Sequence, residues 1–99
     1  MYSNDKLKHL KDLGDNSPDS MKAFNQLNQA VFAEGELDVK TKELIAVAVG
    51  IAKQCPYCIE VHNRNARKAG ATEEELSEAA FVAAAIGAGA AVTHGTHLF

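Results

Sequence analysis

Two cysteines, a histidine and a glutamate near the middle of the chain have the types and spacing to move electrons and protons. Cys55 and Cys58 stand three residues apart as Cys55-Pro56-Tyr57-Cys58, and His62 follows four residues later. Cysteines at that spacing can close a small disulfide ring, and the thiolate of either is a nucleophile. On a helix starting here, Cys55 sits at the cap and Cys58 in the first turn, so both feel the amide dipoles that lower a thiol pKa. His62 lies one turn beyond Cys58 on the same face, placed to accept a thiol proton or return one to a leaving group near neutral pH. The alternatives are an unreactive pair or a zinc site. Zinc would take Cys55, Cys58 and His62, with Glu43 or a C-terminal histidine as fourth ligand, a thin set for a structural centre. With two cysteines in all, placed in one C-x-x-C, redox chemistry is the favoured expectation for a reducing compartment.

The elements that must position these groups are expected to be helices throughout. Leu7, Leu10 and Leu13 recur at helical spacing over residues 5–13, and Gly14 is expected to stop that pattern. Ser17-Pro18 marks a cap followed by proline at the first helical position. Met21, Phe24, Leu27, Val31 and Phe32 then give an apolar face through Glu34, with Gly35 just past the helix end. Asp38 caps a further helix running to about Lys53. Its stretch Leu44 to Ala52 is apolar apart from Gly50, which also admits a buried strand. Continuity with Lys40–Glu43, the alanine content and the want of a partner strand favour helix.

Cys55-Pro56 repeats the cap-then-proline signal for a helix from about Pro56 to Ala69, ended by Gly70. Thr72-Glu73-Glu74-Glu75 is a capping box that opens a long helix through about Val92. On that helix Ala83, Gly87 and Ala91 form a smooth strip that another helix can approach. If the chain reverses around Gln54, Glu43 comes level with His62, and its carboxylate can orient the imidazole and raise its basicity. Glu60 is expected to point elsewhere, and His94 and His97 to be surface or interface groups.

Composition bounds the rest. Ninety-nine residues make one domain, 1–99, which alone buries roughly 65% of its unfolded surface. The formal charge of −3 is interspersed, with no basic stripe for a phosphate backbone, so nucleic acid is not an expected partner. Met1 to Leu13 lacks the apolar core of a signal peptide. Ala79 to Phe99 is uncharged but dominated by alanine and glycine, short of the strongly apolar run a membrane span wants. The expectation is a cytoplasmic protein with no membrane partner.

The spacing Glu43-x11-Cys55-Pro56-Tyr57-Cys58-x3-His62, within ELIAVAVGIAKQCPYCIEVH, resembles the AhpD-like branch of the carboxymuconolactone decarboxylase superfamily. The lead-in FAEGELDVKTKELIAVAV and the alanine-rich helix after Gly70 are similar too, so the resemblance spans roughly residues 20–95. It implies an all-α fold of five to six helices, assembled as a homotrimer or homohexamer. It implies peroxide or disulfide reduction without a bound cofactor, acting on a small-molecule peroxide and recycled by an external dithiol reductant. Cys58 would attack the peroxide, Cys55 would resolve it, and His62 with Glu43 would relay protons. Tyr57 is a departure, since some such enzymes carry a second histidine between the cysteines. Decarboxylase members generally lack the C-x-x-C, which disfavours lactone chemistry; that activity and a non-catalytic oligomeric binding role are the alternatives. Cys-Pro-Tyr-Cys is also a glutaredoxin tetrapeptide, but a glutaredoxin would need a βαβ start with a strand before the motif.

Overall fold

Helices begin and end about where the sequence places them, apart from two glycines; Ser17 precedes the helix that opens at Pro18 as expected, but its side chain makes no capping bond. The computed structural model describes residues 8–99, and its regular elements are all helical: α1 (Leu10–Asn16), α2 (Pro18–Phe32), α3 (Val39–Ala52), α4 (Pro56–Lys68), α5 (Glu73–His94) and a 3₁₀ turn, Gly95–Leu98. The expected all-α fold of five to six helices is observed; Leu7 lies outside the described residues. Asp38 caps α3, its carboxylate accepting the Thr41 N–H at 2.8 Å. Thr72 and Glu75 cap α5 reciprocally, at 3.1 and 2.9 Å.

The exceptions are both glycines. Gly14 does not end α1, which runs on to Asn16. Its missing side chain instead makes room for α2, because the Met21 Cγ lies 3.1 Å from where a Gly14 Cβ would stand. Gly35 does not cap α2 either. That helix stops at Phe32, and Ala33 turns extended with φ −68° and ψ 151°. The Ala33 carbonyl then accepts a 2.6 Å hydrogen bond from Lys42 Nζ, which ties the end of α2 to α3.

The two joints around α4 share one construction. After α3, the Gln54 N–H donates to the Ile51 carbonyl and the Cys55 N–H to that of Gly50, with Gln54 left-handed at φ 56°. After α4, Gly70 takes the left-handed place at φ 96°, with Gly70 bonded back to Arg67 and Ala71 to Ala66. Both are Schellman endings, which satisfy the last carbonyls of one helix while turning the chain into the next. Hence α3 packs against both α4 and α5. Val47, Ala66 and Leu76 form the buried centre, with Leu44, Ile51 and Ala71 around them. Glu75 also reaches across to α3, where Lys40 Nζ donates to its second oxygen at 2.9 Å.

A lone protomer leaves much apolar surface bare. Phe24, Leu27 and Val31 on α2 and Phe81, Val82 and Ile86 on α5 are all exposed. The accessible area is 7577 Å², against about 5,500 Å² expected of a compact monomer of this mass. The radius of gyration is 16.1 Å, against about 13 Å for a compact chain of about 100 residues. The strip Ala83, Gly87, Ala91 is used within the protomer only at Ala83, which is buried; nothing approaches Gly87 within 4 Å of where a Cβ would stand. Against the expectation from Ala79 to Phe99 alone, the continuous helical stretch Glu73–Leu98 is, by length and composition, long and apolar enough to cross a membrane.

Candidate functional site

The turn at Gln54 that joins α3 to α4 builds the site. Cys55 is the last residue of the Schellman ending and the N-cap of α4 at once. Its sulfur accepts a hydrogen bond from the Cys58 N–H at 3.2 Å, and the two sulfurs are joined in a disulfide with Cα atoms 5.3 Å apart. Pro56 occupies the first helical position, where a missing N–H leaves no bond unmade. Cys58 faces solvent, and Cys55 is half-buried behind it.

Gly50 lets this turn close up. A Cβ at that position would stand 3.3 Å from the Cys58 Cβ and 3.5 Å from the Ile59 backbone nitrogen. The two helices therefore meet nearly backbone to backbone at the level of the disulfide. The close approach also brings Glu43 of α3 to His62 of α4, with Oε2 2.6 Å from Nδ1. Glu43 is 5% exposed, the only charged side chain buried among the described residues. A carboxylate only accepts, so the proton of this bond belongs to Nδ1, and in the neutral ring Nε2 keeps a lone pair. Phe32, at the last turn of α2, stacks on the imidazole with ring centroids 5.0 Å apart and planes 18° apart.

All four residues expected from the sequence are thus brought together in two contacting pairs: Cys55 with Cys58, and His62 with Glu43. Phe32 was visible in the sequence only as one more apolar position on α2; its stacking on His62 depends on where α2 ends in space. Glu60 is exposed, and His94 and His97 meet edge to face near the C-terminus, away from the cysteines in the chain and exposed. Among the described residues no three His, Cys, Asp or Glu side chains are grouped to hold a metal ion. Cys55, Cys58 and His62 line one open groove of about 690 Å³, together with Phe32, Ile45 and Val49. This arrangement sets a pair of sulfurs that can pass between dithiol and disulfide beside an imidazole whose Nδ1 is held by a carboxylate.

The profile of the carboxymuconolactone decarboxylase family matches residues 18–99. The chain belongs to that family. Among relatives of this carboxymuconolactone decarboxylase family chain, "Uncharacterized protein 4 in cox locus" of Paracoccus denitrificans is 56% identical over 72 residues. That match takes in 73% of this chain and 65% of the Paracoccus protein, a little under two thirds of its length. A solved carboxymuconolactone decarboxylase family protein from Legionella pneumophila superposes with a TM-score of 0.80 at 40% identity, covering 93% of this chain and 82% of that one. Another from Thermotoga maritima, for which a part in the antioxidative response has been suggested, superposes with a TM-score of 0.66 at 35% identity, covering 79% and 80%.

Proposed function

We propose that this family member is an AhpD-like thiol peroxidase that reduces hydroperoxides through Cys58 and Cys55. The observation that carries the proposal is the groove shared by the Cys55–Cys58 pair and by His62, whose Nδ1 is held by buried Glu43. In the reduced protein, the Cys58 thiolate attacks the terminal oxygen of a hydroperoxide and the O–O bond breaks. The departing alkoxide takes a proton and leaves as an alcohol, while Cys58 becomes a sulfenic acid. The Cys55 thiol condenses with it, forming the disulfide and releasing water. His62 accepts and returns the protons through Nε2, with Glu43 holding the ring.

Cys58 is assigned the attack because its side is open to solvent and His62 lies one turn along the same face. Cys55 suits the complementary role. An external dithiol that attacks the exposed Cys58 sulfur expels Cys55 as a thiolate, and the Cys58 N–H aimed at that sulfur favours its departure. Such recycling requires a reducing compartment, so the proposed location is the cytoplasm. The bare apolar residues Phe24 and Leu27 of α2, outside the groove, and the bare face of α5 are proposed to be covered by further copies of the chain as a homotrimer or homohexamer. The area left over by the lone protomer, about 2,000 Å², is of the size that permanent interfaces bury.

The test is steady-state reduction of cumene hydroperoxide by the assembled protein with a dithiol as electron source. Turnover is expected in the wild type, none in Cys58→Ser, and at most one turnover in Cys55→Ser. If fully reduced wild type consumes no hydroperoxide, the peroxidase reading fails and disulfide exchange takes its place.

A further inference from the structure

The groove beside the disulfide has a chemical character of its own. Lys42, Ile45, Ala46, Val49, Gly50 and Lys53 recur along α3 at helical spacing and form one continuous stripe on its wall. The stripe is apolar between two lysines. Neither lysine is ion-paired among the described residues: Lys42 donates to the neutral Ala33 carbonyl, which leaves its charge uncompensated and two of its N–H groups available. Val31, Phe32 and Leu37 face the stripe from the α2 side. An apolar trough with a cation at its end complements an alkyl chain that ends in an anion.

Distance decides which end holds the anion. Gly50, against which Cys58 packs, lies eight residues from Lys42 along α3, about 12 Å at the helical rise, or about ten zigzag C–C bonds. Lys53 is within one turn of Gly50, so a carboxylate there would sit close to the reacting sulfurs and repel a thiolate. An anion at Lys42 has no such conflict and leaves the middle of its chain beside the cysteines.

We infer that the groove binds a long-chain carboxylate, with its head at Lys42 and its chain along Ile45, Ala46 and Val49. The preferred peroxide is then a fatty-acid hydroperoxide whose O–O group lies part-way along the chain. The substrate half of this inference rests on the peroxidase proposal above, whereas the binding half is independent of it.

Binding is measured first, on the disulfide form, with dodecanoate and dodecanol below their micellar concentrations. Dodecanoate is expected to bind about two- to five-fold more tightly than the alcohol, the size of one partly exposed ion pair. Lys42→Gln, which keeps a donor for the Ala33 carbonyl, should erase that difference, and Lys42→Arg should retain it. Equal binding of acid and alcohol overturns the inference. So does a preference abolished by Lys53→Gln but not by Lys42→Gln. Failure of the assembled protein to bind either ligand overturns it too, and would mean that another copy of the chain fills the groove.

Turnover is measured second, with a fatty-acid hydroperoxide, its methyl ester and cumene hydroperoxide. The free acid should show a KM about two- to five-fold below that of its ester, lost in Lys42→Gln. Turnover of all three without an acid preference overturns the substrate class and leaves the peroxidase standing. Carboxylate binding with no turnover of any peroxide overturns the peroxidase and leaves the binding site.

Discussion

Glu43 and His62 meet across the α3–α4 turn, with Oε2 2.6 Å from Nδ1 and the carboxylate almost wholly buried. The pairing fixes which ring nitrogen is free, and in the proposed mechanism it makes Nε2 the base. A Glu43→Gln amide can donate to Nδ1 instead, which would put the proton on Nε2 and leave no lone pair for catalysis. Peroxide-driven disulfide formation, followed by stopped flow, is expected to slow about 100-fold, the lower range for loss of a general base. KM should change little and helix content should be retained. An unchanged rate would remove His62 from proton transfer.

Phe32 holds the same imidazole by its face. Truncation in Phe32→Ala removes a stack worth about 0.5–1.5 kcal/mol beyond its buried area. The ring should then sample other orientations, and the rate should fall by about three- to ten-fold, in line with that energy. Phe32→Tyr keeps the stacking plane and should restore most of the rate. Equal loss in both variants would show that α2 matters only as a wall of the groove.

How far the sequence reveals such relationships depends on whether the cause is local. Asp38, Thr72 with Glu75, and Cys55-Pro56 announce their helices because a cap bonds within three residues of itself. The meeting of Glu43 with His62 is legible for a related reason. Glu43 stands eleven residues before Gln54 and His62 eight after it, so a short reversing turn brings them within about one helical turn of the same level. Phe32 on His62 is not legible, because it depends on where α2 ends in space, and Lys42 sets that by binding the Ala33 carbonyl. Gly14 misleads for the same reason: it answers to Met21 on another helix and not to its own. The apolar run Leu44 to Ala52 conceals two faces, one buried through Val47 and one opening on the groove through Ile45 and Val49.

Gln54 stands where the α3 ending requires a left-handed residue, with φ 56°. A side chain there costs about 1 kcal/mol that glycine avoids, partly offset by the greater freedom of glycine in the unfolded chain. Gln54→Gly is expected to raise unfolding stability by about 0.5–1 kcal/mol in denaturant titrations of the disulfide form. A loss of stability would show that the Gln54 side chain makes contacts outweighing its backbone strain.

The Lys40–Glu75 bridge makes the α3–α5 contact sensitive to acid. Lys40 donates a hydrogen bond to Glu75 and, with the Thr72 N–H, holds its carboxyl below the ordinary value. A carboxylate lowered on folding contributes stability that is present above its unfolded pKa and lost as pH falls through the folded one. The Lys40 ammonium is raised by the same bond, so its contribution is present below the ordinary lysine value and lost as pH rises through the folded one. In Glu75→Gln, the acid side of the stability profile should flatten relative to wild type. Identical profiles from the ordinary carboxylate range downward would show that Glu75 is not the sensor.

Gly50 sets two terms against each other in one substitution. Alanine in a helix interior gains about 1 kcal/mol over glycine. At Gly50 the new Cβ would lie 3.3 Å from the Cys58 Cβ and 3.5 Å from the Ile59 nitrogen. Those atoms are anchored to the backbone of α4, so the helix itself must yield by a few tenths of an ångström. The two terms nearly cancel in stability, and Gly50→Ala should unfold within about 1 kcal/mol of wild type. Activity has no compensating term, because the shift carries Cys58 and His62 together away from Glu43. A loss of about three- to ten-fold in peroxide turnover is expected, smaller than the about 100-fold that a displacement of about 1 Å can cost. Gly50→Val, with a larger intrusion and a poorer helix former, should lose both activity and stability. If Gly50→Ala instead gains about 1 kcal/mol at full activity, α3 and α4 have slack at the disulfide, and their close approach is not what positions the thiols.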